Sequence, residues 1–92
     1  MRTPERLKEI FMTEANYMID HYFKKADKIA TGIIEHKDVS DQYNEYKELS
    51  KMQMDKYNLT EEEQEYIKSH AQEWQVELLP TIAKKIYPDF NV

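Results

Sequence analysis

Glu63, His70 and Glu77 stand seven residues apart, and Glu14 and His21 repeat the step. Histidine with glutamate is therefore the most pointed chemical pattern in the chain. On a helix, a seven-residue step returns to nearly the same face two turns on, about 10 Å along the axis. Imidazole nitrogen and carboxylate oxygen are a donor set for divalent metals. If the helices carrying His21 and His70 faced each other, two imidazoles and up to three carboxylates would surround a cation. One ion cannot take a whole column spread over two turns, however. The Glu-x-x-His step of di-metal helical bundles is missing, and His70-x-x-Glu73 has the reverse order. The expectation is no metal and no cofactor, with His21 and His70 as boundary residues hydrogen-bonded to nearby carboxylates. A metal- or small-ligand-binding His/Glu bundle is the alternative. Tyr17-x-x-x-His21 and Tyr66-x-x-x-His70 also share a spacing, a short match within chance.

Other chemistries find less support. A single glycine rules out phosphate-cradling loops and the dinucleotide fingerprint, and the absence of cysteine removes thiolate catalysis, thiolate zinc sites and disulfides. Ser40, Ser50 and Ser69 lie in or beside helical patterns, away from any strand-to-helix elbow. A DNA-reading helix could begin near Thr60, but Glu61, Glu62, Glu63 and Glu65 at its start would be repelled by phosphate. The net charge of −5, with mixed signs, also argues against a nucleic-acid surface. The same acidic run could imitate nucleic acid as a decoy, although helix capping accounts for every residue in it. Eighteen acids single out no catalytic carboxylate pair, so no catalytic residue is assigned and an enzyme is not expected.

The elements that carry these residues read as helices, and residues 1–92 as one helical domain. Few prolines and a lone glycine favour long helices over many short strands. The expected fold is all-α: an antiparallel bundle of helices over about 4–35, 39–57 and 61–79, with a short C-terminal helix over about 81–87. Thr3, Pro4 and Glu5 form a start signal for the first helix. Leu59-Thr60 with Glu63 gives the third an apolar residue followed by a capping box. Asp38 or Ser40 should cap the second, and Pro80 should kink the third or begin a new helix. Gly32 lies inside the first helix on this reading. Val39, Tyr43, Tyr46, Leu49 and Tyr57 give the second helix a partly polar seam. Ile67, Ala71, Trp74 and Leu78 form the main stripe of the third, while Val76 and Leu79 point away and imply cover on a second side. Pro88 should stop the last helix and Phe90 tuck back.

The first helix has an unusually wide apolar face. Leu7, Phe11, Met18, Tyr22, Ala26, Ile29 and Ile33 make its central stripe, flanked by Ile10, Met12, Ala15, Ile19, Phe23, Ala30 and Ile34. Met12, Ile19, Phe23 and Ala30, at steps of seven, four and seven, make a second seam that a copy of the chain could cover as a homodimer. The rival is the C-terminal segment folding across it through Ile82, Ile86 and Phe90. The functional expectation is a small acidic protein that acts by binding another protein, as a regulator or inhibitor, in the cytoplasm. No membrane segment and no direct nucleic-acid binding are expected. The lysine-, glutamate- and isoleucine-rich composition is one shared with AT-rich bacterial and phage genomes.

Overall fold

The computed structural model describes residues 1–86. Four helices run in order: α1 Pro4–Ile34, α2 Ser40–Asp55, α3 Glu61–Val76 and α4 Leu79–Ile86. The fold is the expected all-α bundle of three main helices and a short C-terminal one. The expected stop at Pro88, the end at Tyr87 and the tuck of Phe90 lie outside the described residues. No helix among the described residues is long and apolar enough to cross a membrane.

The ends of the helices follow local chemistry. Thr3 Oγ1 accepts from the Arg6 amide, with Pro4 in the first turn. At α3, Thr60 Oγ1 accepts from the Glu63 amide and Glu63 Oε1 accepts from the Thr60 amide, a complete capping box. The start of α2 departs from expectation. Val39 holds the cap position without a side-chain bond, and the Asp38 carboxylate reaches past it to the Ser40 amide and hydroxyl. Pro80 begins a new helix. Its ring would strike the Val76 carbonyl in a continuous helix, so α3 ends there and Glu77 and Leu78 turn on short bonds to Trp74 and Gln75.

Gly32 does stay inside α1, and its neighbour explains why. A Cβ placed on it would lie 2.3 Å from Val39 Cγ1. Glycine lets the connection to α2 fold flat against the end of α1. The helix then closes with the Lys37 amide bonded to the Gly32 carbonyl and the His36 amide to that of Ile33. His36, at φ 58°, takes the left-handed position that glycine usually fills in such a cap.

Leu7, Ile67 and Trp74 form the core, with Phe11, Met12, Met54, Leu59 and Tyr66 packed on it. Phe11 and Trp74 meet as tilted rings with centroids 5.4 Å apart. The buried side of α1 is Leu7, Ile10, Glu14, Met18 and Ile19, continued by Ile29 and Gly32. Ile33, expected in the central stripe, is exposed, as is Ile34. The face is broken at Tyr22, whose φ −123° and ψ 26° interrupt the helix. No proline or glycine lies near this turn. Val76 and Leu79, expected to be covered, are 61% and 57% exposed. A two-sided cover would need a further layer of helix, and the described residues provide none there.

Candidate functional site

Two polar clusters pin the turn between α2 and α3 to the start of α1. In the first, Glu63 accepts from the Arg2 amide at Oε2 and from Arg2 Nη1 at Oε1, both at 2.9 Å. Arg2 Nη2 also donates to the Tyr57 carbonyl at 2.7 Å. The Thr60 and Arg2 amides, with the guanidinium, hold the Glu63 carboxyl at about 2, well below its ordinary value. In the second, Glu14 Oε1 accepts from Lys56 Nζ at 2.7 Å and from Tyr57 Oη at 2.8 Å. The bond to Glu14 raises the pKa of both Lys56 and Tyr57.

From this clasp the two helices part. α2 runs along α1 from Lys56 beside Glu14 to Glu45 beside Lys25 and Val39 against Gly32. α3 runs from Glu63 beside Arg2 to Glu77 beside Lys8. Each packs on α1, and they barely touch each other. Between them lies a half-open trough of about 920 Å³ with α1 as its floor. Phe11, Ala15, Met54, Leu59, Ile67 and Ala71 give it an apolar lining. Lys47, Lys51 and Lys68 stand among the charged residues of its walls, together with Glu48 and Asp55.

Glu14 also lines this trough. It is 4% exposed, and its Oε2 is shut off from solvent with no hydrogen-bond partner among the described residues. Buried acceptors without partners are uncommon in folded proteins and costly to leave unmade. In the sequence Glu14 drew notice only for its seven-residue step to His21. Its position in the buried face was nevertheless visible, since Leu7, Ile10, Glu14 and Met18 follow steps of three, four and four.

The residues of the expected second seam are distributed differently. Met12 packs on the Leu7–Ile67–Trp74 cluster, Ile19 is 6% exposed, Phe23 is half-buried and Ala30 is open. They do not form one exposed strip. Lys85 pairs with Asp20 at 2.7 Å, which ties α4 to the middle of α1, and Ile82 is half-buried. Beyond the break at Tyr22 the helix surface turns to different neighbours, with Lys25 paired to Glu45 of α2.

His21 and His70 share a local geometry, although they bond to backbone rather than to carboxylates. Each Nδ1 faces the carbonyl of the tyrosine four residues before it, at 3.1 Å for Tyr17 and 2.9 Å for Tyr66. Since a carbonyl only accepts, that nitrogen carries the proton. Each ring stacks on the same tyrosine, at 3.8 and 4.2 Å between centroids, and His70 stacks on Trp74 as well. The repeated Tyr-x-x-x-His spacing is thus one structural device used twice. Among the described residues no three metal-ligating groups converge. The acidic run that could mimic nucleic acid is divided, because Glu63 is turned inward to Arg2 and the cap. Comparison with protein-family models, curated proteins and solved structures found no match.

Proposed function

We propose that this chain is a small non-enzymatic protein that acts by binding another protein, and that the trough between α2 and α3 receives a helix of that partner. The supporting observation is the separation of two helices that share a floor. In a four-helix bundle this position belongs to the fourth helix. The apolar lining is available at the trough, with Ala15, Ser50 and Ala71 small enough for close backbone approach. A regulator or inhibitor in the cytoplasm is the setting proposed, in keeping with a cysteine-free chain.

Site-specific photo-crosslinking tests the reading in cells that natively make the protein. A photoreactive residue at Ala71, inside the trough, should give a discrete adduct that the same probe at the outward-facing Glu73 does not. Adducts from Glu73 alone, or from neither position, would count against the trough as the binding face.

A further inference from the structure

We draw no further inference here: the strongest candidate, the apolar trough between α2 and α3 with α1 as its floor, belongs to the site already described, and nothing in the structure shows what covers it.

Discussion

Replacing Gly32 with alanine sets two known effects against each other. A glycine inside a helix costs about 0.8–1.0 kcal/mol relative to alanine, so the new methyl should help by that amount. It would also lie 2.3 Å from Val39 Cγ1, more than 1 Å closer than ordinary contact of about 3.5–4.0 Å. Valine cannot easily turn aside, because branching at Cβ limits its χ1 choices. Overpacking of this kind costs about 1–3 kcal/mol. Gly32→Ala alone should therefore range from neutral to about 2 kcal/mol destabilising. Val39→Ala alone removes two half-buried methyl groups, for about 1 kcal/mol. In the double variant the Cγ1 clash is gone and the nearest remaining atom is the residue-39 Cβ at 3.8 Å. The two changes should then couple favourably by about 1–3 kcal/mol. Urea titrations of all four chains, followed by far-UV circular dichroism and Trp74 fluorescence, measure the coupling. Additivity within about 0.5 kcal/mol would show that Val39 moves aside freely and that Gly32 is not held by close approach.

Three more outcomes follow from the clasp and the placement of α4. Glu63 has its carboxyl lowered to about 2 from an ordinary 4.5, so its contribution is full above about pH 4.5 and lost as pH falls toward about 2. The stability difference between wild type and Glu63→Gln should shrink over that range, and a constant difference from pH 6 to pH 3 would refute the assignment. Thr60→Ala should cost about 0.5–2 kcal/mol in urea melts, and adding Glu63→Ala should cost less than the independent sum; an unaffected Thr60→Ala would place the start of α3 elsewhere. With Met12 and Ile19 covered by their own chain, light scattering at micromolar concentration should give the mass of one chain. A dimer that Phe23→Glu splits with its helix content intact would restore Met12, Ile19, Phe23 and Ala30 as an interface.

Local signals carried most of the fold. Thr3-Pro4 and Leu59-Thr60 with Glu63 are read by neighbours three residues away, and both caps formed as expected. The apolar period located three main helices but misjudged their faces. It scores only apolar residues, so it left Glu14 and Glu63, both buried and in phase, out of the faces it drew. Conversely, Val76, Leu79 and Ile33 were assumed to be covered because they are apolar, although apolar atoms make up much of any protein surface. The break at Tyr22 and the divergence of α2 from α3 have no local signal at all. The trough was therefore invisible to a one-dimensional reading, and so was the unpartnered oxygen at its floor.

The clasp has a kinetic meaning as well. The connection Glu35–Val39 between α1 and α2 is short, whereas the bond between Arg2 and Glu63 joins residues 61 apart. Loop-closure entropy grows with separation, so the α1–α2 hairpin is the easier contact to nucleate and α3 docks onto it afterwards. In a chevron, substitutions around Gly32 and Val39 would then slow refolding, whereas those at Arg2 or Thr60 would speed unfolding. The trough takes shape only when α3 docks, so it is the last feature to assemble and the first to be lost. A helix seated between α2 and α3 bridges the piece that docks late to the piece that forms early. Its occupancy would therefore add to the stability of the folded chain by mass action, measurable as a melting temperature that rises with its concentration.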